Sequence, residues 1–379
     1  MKHILLAGYG NIAQAFDKIM REQEQEGSFS LDVCDLTDGN DIMKFLPLHI
    51  KDYDLIINTS LANSIELSKM CIDYGLDYID VGIEDGIGQI NSTPSDYTAL
   101  MKEMTAWETH SHIMLGFGIN PGILEHVYQK YKPQGKHYAF ELEHDNSFSD
   151  QYELFGTWSP FMYAKEAVFA EKVMVTPQGT RVVDERLKTD GGTMTLNYHG
   201  CQRHYLPIHH EELLSMQLST PDLLGSAYLY QAPVNMQEYF LLKGADLSKE
   251  QILSIPVPQD LQGEDHIGML FWDTKERLYW VKNVTANQTT WKRYGINAVC
   301  WQTGVGIWIA YRLLDSVNTG HPHTMTELSQ LMPDTIDRLL RQIGFILEIE
   351  EQPFQLEEFR QNIMSYFSKD NPYGKAARV

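Results

Sequence analysis

The 379-residue sequence predicts an α/β protein with a doubly wound parallel sheet at its N-terminus, followed by a second α+β domain and C-terminal helices. Three observations carry this reading. Short apolar runs alternate with helical patterns over residues 1–145, and a Gly-rich turn, GYGNIA, joins the first run to the first helix. From about residue 146 the texture changes to aromatic-rich, β-leaning segments punctuated by Gly and Pro, which suits a mixed or antiparallel sheet.

In order, HILLA, LDVCD, DLIINT, LDYIDVG, HIMLGF and HYAFELE read as short buried strands of the first domain. Helical patterns such as IAQAFDKIMREQEQE and ANSIELSKMCIDYG lie between most of them, as crossover connections in a parallel sheet require. The second domain, 146–292, holds MTLNYHG, AYLYQAPV, YFLLK and GMLFWD with RLYWVKNVT as expected strands. INAVCWQTGVGIWIAYRLLDS then predicts a buried helix that returns residues 293–320 to the first domain. The tail, 321–379, predicts a helical segment. There Thr324, three residues before Glu327, has the spacing of a capping box, and Pro333 suits the first turn of the next helix.

GYGNIA supplies G-x-G-x-x-A directly after a strand and at the mouth of a helix. Gly8 allows a tight turn, Gly10 lets backbone approach a pyrophosphate, and Ala13 permits close packing of helix on strand. With Asn11 and Ile12 between them and Ser60 after the third strand, these residues form the expected cofactor loop of a Rossmann-type domain. The second strand ends at Asp35, whose carboxylate would accept the adenosine ribose hydroxyls and repel a 2′-phosphate; NAD is therefore the expected cofactor. Asp32 is the alternative for that role, being nearer the usual spacing from the glycines.

GFGINPG at 116–122 has a different character, because Pro121 lacks the N–H that a phosphate cradle would use. It reads as a strand-to-helix turn, with Asn120 as N-cap and Pro121 at the first helical position. Strands of an open α/β sheet deliver their carboxyl ends to the ligand crevice, so Asn120 and Pro121 are assigned to the cofactor side and Asn120 also to the substrate.

Bulk composition narrows the class. Hydrophobic residues at 43% and charged residues at 21% are ordinary for a globular protein. Fifty-one acids against thirty Lys and Arg give a net charge of −21, which argues against nucleic acid or anionic membranes as partners and would attract a small cation. AVCWQTGVGIWIAY falls short of a membrane span, the N-terminal apolar run is too short for a signal peptide, and the four cysteines form no CxxC pair. A reduced, cytoplasmic setting is expected. His110-x-His112 and His321-x-His323 lack the H-E-x-x-H spacing or cysteine partners of familiar metal sites, and no metal is expected.

GYGNIA at the start, GxNPG after a later strand, GTWSPFMYAKEA opening the second domain and an NAxxxQ-type buried helix near the end together resemble homospermidine synthases, within the saccharopine dehydrogenase-like group. The likeness runs in scattered blocks from residue 1 to about 315. It implies an enzyme, expected as a homodimer, that takes a hydride from a diamine such as putrescine onto tightly held NAD, lets a second amine attack the imine, and returns the hydride. The matched positions are Glu84 in IDVGIE, Asn120 in GINPG, Glu143 in ELEHD, Trp158 and Glu166 in GTWSPFMYAKEA, His210 and Glu212 in IHHEELLS, and Asp265 in GEDHIGML. INTS carries Asn58 where the family pattern has Asp, and the stretch between Trp158 and His210 is much shorter than in the family.

The residue types suit that chemistry. A desolvated ammonium is tolerated only beside carboxylates or π faces, which Glu84, Glu143, Glu166, Glu212, Asp265 and Trp158 could supply. Loss of an ammonium proton before hydride abstraction needs a general base, and His210 is the candidate by type, with Glu212 or Glu143 orienting it. The alternative enzyme is a saccharopine- or carboxynorspermidine-type dehydrogenase acting on an amine–carbonyl adduct, for which Arg181, Arg203 or Arg293 should line the crevice. A non-catalytic NAD-binding sensor is the third reading.

Overall fold

The computed structural model describes residues 1–83, 103–104, 106–169, 172–177, 179–184, 193–208, 210–243, 246–367 and 375–376. The chain divides into two compact units. The first is built on the residues up to His126 together with Val299–Phe345, and the second on Val127–Ala298 together with the residues from Ile346 onward.

The first unit holds a five-stranded sheet of β1 (Lys2–Ala7), β2 (Phe29–Cys34), β3 (Leu55–Asn58), β4 (Asp77–Asp80) and β5 (Ile113–Met114), in the order β2-β1-β3-β4-β5. Every pairing is parallel. Ile4, Leu5, Leu6 and Ala7 of β1 and Leu55, Ile56 and Ile57 of β3 are fully buried, as expected of central strands covered by helices on both faces. The order in which strands are added reverses between β1 and β3, which makes their carboxyl ends the topological switch point of the sheet. Helix Asn11–Gln23 buries Ala13, Ala15, Phe16, Ile19 and Met20. Helix Ala298–Leu313 packs on it so closely that a Cβ on Gly304 would stand 3.0 Å from the Ala15 Cβ. Among the described residues no helix is long and apolar enough to cross a membrane.

The second unit holds a ten-stranded mixed sheet. Its strands are β6 (His137–Asp145), β7 (Lys172–Thr176), β8 (Gly179–Asp184), β9 (Met194–Tyr198), β10 (Cys201–Ile208), β11 (Leu223–Gln231), β12 (Glu264–Asp273), β13 (Leu278–Ala286), β14 (Leu347–Glu351) and β15 (Lys375–Ala376). The main path runs β14-β13-β12-β6-β11-β7-β8-β15, with β10 pairing β11 and β9. β6 and β11 are parallel, whereas β6 and β12 are antiparallel. On one face Phe140, Leu142, Leu229, Leu270, Trp272 and Trp280 pack against Phe359 and Ile363 of helix Leu356–Phe367.

Several expectations need correction. HYAFELE is a central strand of the second sheet, not a sixth strand of the first. Its alternation explains this, because Phe140 and Leu142 fit an apolar face while Glu141, Glu143 and Asp145 need a different one, and a parallel sheet covered by helices has no such face. YFLLK lies in helix Val234–Lys243, where Met236 and Phe240 bury one stripe at helical spacing. The tail is not a separate helical piece: helices Met325–Leu331 and Pro333–Ile343 belong to the first unit, and β14 is an edge strand of the second sheet. Pro333 stands in the first turn of its helix, but Thr324 makes no side-chain cap, and the Glu327 carboxylate that would complete a capping box is engaged by His321 and His323.

GINPG also differs. The Gly118 N–H donates to the Pro121 carbonyl (2.7 Å), Gly118 and Gly122 form a bridge, and the Asn120–Pro121 peptide is cis. The residues form a closed turn, so the helix Ile123–Tyr131 begins after them, and Asn120 is not its N-cap nor Pro121 its first residue. Close approach of backbone to backbone dictates the glycines: a Cβ on Gly122 would stand 2.3 Å, and one on Gly306 2.0 Å, from the Gly118 carbonyl oxygen.

Candidate functional site

At the switch point of the first sheet, Gly8 takes φ +86°, and a Cβ there would stand 3.0 Å from the Ser60 Cβ. The Gly8 N–H donates to the Cys34 carbonyl (2.9 Å), and the Tyr9 N–H donates to Asp35 Oδ2 (2.6 Å). Asp35 Oδ1 accepts from the Thr37 N–H (2.8 Å) and hydroxyl (2.6 Å), and these hydrogen bonds, that of the Thr37 hydroxyl foremost, hold its carboxyl below the usual range. Ser60 is oriented by Asn58, whose Oδ1 accepts from the Ser60 N–H (3.1 Å) and hydroxyl (2.7 Å). Asn58 in turn donates to the Tyr78 hydroxyl (3.2 Å), so the amide serves to build the loop.

Helix Asn11–Gln23 starts at Gly10 with no side-chain cap, which leaves the N–H groups of Asn11, Ile12 and Ala13 for another acceptor. Gly10 is extended, and among the described residues nothing lies within 4 Å of where its Cβ would be. An uncapped helix N-terminus behind an open, Cβ-free approach, with a carboxylate at the end of the next strand, fits a dinucleotide pyrophosphate and ribose.

The second unit gathers a carboxylate face. Glu141, Glu143 and Asp145 alternate along β6, and Asp265 of β12 sits opposite Asp145; all four are at most 4% exposed. Carboxylate oxygens of Glu143, Asp145 and Asp265 lie within 4.8 Å of one another. Asp145 accepts from the Ser147 N–H (3.0 Å) and the Thr157 hydroxyl, and Glu143 accepts from the Tyr228 hydroxyl. Tyr228 stacks on Tyr230 (5.6 Å between centroids), and Tyr230's hydroxyl accepts from Trp158 Nε1 (3.2 Å). Tyr163 meets Tyr230 edge to face at 5.9 Å.

His210 joins this face from the other side of Tyr228, their rings 4.7 Å apart. Its Nδ1 lies 3.0 Å from Glu212 Oε1 and its Nε2 3.4 Å from Glu166 Oε2. Glu166 comes from a π-helical turn, Ala164–Phe169, that follows the Ser159-capped turn Pro160–Tyr163 and also buries Lys165. Such turns recur at functional sites. Glu212 opens helix Glu212–Ser219 and shares a hydrogen bond with Glu141.

These environments set the protonation. Burial pushes the Glu143 carboxyl up to about 8, with the Asp145 charge adding to the rise. Asp145 is raised for the same reason, against its Ser147 and Thr157 bonds. Burial opposes charge on His210, but the Glu212 and Glu166 carboxylates outweigh it and hold the imidazole well above its ordinary range. That shift favours the charged imidazolium, the conjugate acid of the base that the residue type led us to expect.

Of the expected site residues, Glu143, Trp158, Glu166, His210, Glu212 and Asp265 come together in the second unit. Gly8, Gly10, Asn11, Ile12, Ala13, Asp35 and Ser60 come together in the first, while half-buried Asn120 and buried Pro121 occupy the closed turn. Glu84 lies outside the described residues. Asp32 lies within β2, before the loop, and the Gly-rich turn bonds Asp35 instead. Sequence reasoning missed Glu141, Asp145, Tyr228, Tyr230 and Tyr163, although the two-residue spacing of Glu141, Glu143 and Asp145 was a signal that they share one face. Among the described residues three groups of His and carboxylate ligand atoms lie within metal-binding range: Glu141, His210 and Glu212; Glu143, Asp145 and Asp265; and His321, His323 and Glu327.

No protein-family model matches the chain, and no curated protein matches it in sequence. Among solved structures, saccharopine dehydrogenase (L-Glu forming) from Saccharomyces cerevisiae has a similar fold. Its TM-score is 0.55 at 12% identity, covering 93% of this chain and all of that one. An engineered D-amino acid dehydrogenase (TM-score 0.37, 12% identity, 90% of this chain and 99% of that one) is less alike. So is a Gfo/Idh/MocA family oxidoreductase from Vibrio cholerae (0.34, 11%, 97% and 100%). The protein therefore has the α/β fold of a Rossmann-type parallel sheet with a second, mixed-sheet unit, and the saccharopine dehydrogenase structure shares that fold.

Proposed function

We propose that the protein is an NAD-dependent oxidoreductase of small amines, working in the manner of homospermidine synthases. The observation that carries this reading is the buried face of Glu141, Glu143, Asp145, Asp265, Glu166 and Glu212, lined by Trp158, Tyr228 and Tyr230. Carboxylates and π faces in a water-poor setting are what a desolvated ammonium or iminium requires.

When bound, NAD would supply a two-electron hydride acceptor and donor, held by Gly8, Gly10, the helix start at Asn11 and the Asp35 carboxylate. Glu143 is the candidate for general base once an amine is bound: a carboxyl raised to about 8 is mostly protonated at rest, and an adjacent ammonium would lower it into the ionised form that takes a proton. His210 stays charged between Glu212 and Glu166 and holds both carboxylates in place. The Trp158 indole face would stabilise an iminium formed from the amine, and the carboxylates would hold the ammonium of the second amine that adds to it with loss of ammonia.

Purified protein incubated with putrescine and NAD should form triamine and ammonia without net NADH. Absence of amine-dependent turnover across a polyamine panel, with dinucleotide bound, would refute the reading. A second reading, a dehydrogenase of carboxylate-bearing amine adducts, draws on Arg203. It lines a cavity of about 460 Å³ with Asp145, and its Nη1 donates to the neutral amides Asn146 (2.9 Å) and Gln231 (3.4 Å). Stoichiometric NADH oxidation with an amine and a keto acid would select it.

A further inference from the structure

We propose that His321, His323 and Glu327 form a binding site for a divalent transition metal of the zinc class. The site lies in the first unit, on residues that belong neither to the dinucleotide loop nor to the carboxylate face. The chain before helix Met325–Leu331 is pinned to the sheet. The His323 N–H donates to the Ile113 carbonyl (2.8 Å), the Leu115 N–H donates to the His323 carbonyl (2.9 Å), and the Thr109 N–H donates to the Gly320 carbonyl (3.1 Å). His321 and His323 are therefore presented from a fixed backbone, and Glu327 meets them from the first turn of the helix.

The ligand atoms are suitably spaced. His321 Nε2 lies 2.9 Å from Glu327 Oε1 and His323 Nδ1 lies 3.0 Å from Glu327 Oε2, and the three ligand atoms of this group are within 4.8 Å of one another. Two ligands on one tetrahedral zinc stand roughly 3.3 Å apart, given metal–ligand bonds of about 2.0–2.1 Å. A small closing-in around an ion would satisfy that geometry.

The second observation is the outer partner of His323. Its Nε2 lies 2.8 Å from the Asn318 carbonyl, an acceptor that fixes the ring with its proton on Nε2 and leaves the Nδ1 lone pair toward Glu327. Metal-bound histidines are oriented in this way. The His323 side chain is 3% exposed and that of His321 48%, so the group has a closed inner wall and an open outer side where water could complete the coordination.

The test uses the untagged full chain, stripped with chelator and titrated with zinc chloride by calorimetry. A single stoichiometric site should appear, and His321→Ala and Glu327→Gln should each weaken it at least about tenfold. Cobalt(II) should give the visible absorption of a four-coordinate nitrogen–oxygen site that both variants lose. His321 is half exposed, so its variant should melt like the parent in chelator, which separates ligand loss from misfolding. Absence of saturable binding in the parent, or equal affinity in parent and both variants, would overturn the proposal; the second result would put the ion elsewhere in the chain.

Discussion

Replacing Glu143 by Gln isolates the electrostatics of the carboxylate face in the ligand-free protein. The amide keeps the side chain's shape and can still accept from the Tyr228 hydroxyl, but it cannot ionise. In the unfolded chain a Glu carboxyl loses its proton near 4.5, whereas in the folded protein burial delays this to about 8. Between those values the folded state binds more protons than the unfolded state, so wild-type stability falls as pH rises, by 1.36 kcal/mol per pH unit. From pH 5 to pH 8 the span is three units, or about 4 kcal/mol, present at the acid end and lost as pH passes through the folded value. Asp145, also raised and beside Glu143, titrates in both proteins, so the difference reads Glu143 together with its effect on Asp145. Chemical denaturation of both proteins at intervals over this range should therefore show E143Q gaining on the parent steadily with pH. A difference that stays flat to within about 1 kcal/mol would refute the argument, since Glu143 would then ionise in the ordinary carboxylate range.

Gly306→Ala should destabilise the first unit by about 3 kcal/mol or more, because its Cβ would stand 2.0 Å from the Gly118 carbonyl oxygen and the buried helix would have to shift; denaturant unfolding measures this. Asp35→Ala should weaken NAD binding about tenfold, roughly 1.4 kcal/mol, and narrow the preference over NADP, measured by fluorescence titration with both dinucleotides. Equal loss of both would remove Asp35 from the ribose. Trp158→Phe should leave dinucleotide affinity unchanged and slow amine turnover roughly 3- to 30-fold, the kinetic equivalent of a cation–π contact of about 0.5–2 kcal/mol. Unchanged turnover would return Trp158 to a purely structural role beside Tyr230.

The five parallel strands of the first sheet were legible because each is a short apolar run between turn residues, and GYGNIA stood in its required strand-to-helix context. Where local pattern and tertiary use diverged, the sequence misled. YFLLK has β-forming residues but a helical burial stripe, and HYAFELE looks like one more apolar strand until its alternate carboxylates are counted. GFGINPG offers every local sign of a capped helix, yet its glycines serve a backbone crossing with Gly306, almost two hundred residues away, that no local pattern reveals. His210 could be picked by residue type. Its charge could not, because that depends on Glu166 and Glu212, which only the fold brings to its two nitrogens.

The carboxylate face raises a physical question that bears on its use. Six buried or half-buried acids could not all ionise without counter-charge, since each desolvated carboxylate costs several kcal/mol. The resting protein limits the charge in three ways. Glu143 stays protonated up to about 8, Glu141 and Glu212 share a hydrogen bond that needs a proton between them, and Asp145 spreads its charge over the Ser147 and Thr157 donors. The His210 imidazolium then offsets the charge on Glu212 and Glu166. An arrangement whose charge is held down by protons is one in which an arriving cation can replace them. A bound ammonium would lower the Glu143 carboxyl by the same attraction that its neighbours now oppose, so the group that must accept a proton ionises when the amine is present. On this reading the face supplies affinity and basicity from one source, and the apolar side of β6, packed by Phe140, Leu142 and Phe359, keeps the strand rigid enough to hold its three carboxylates in register.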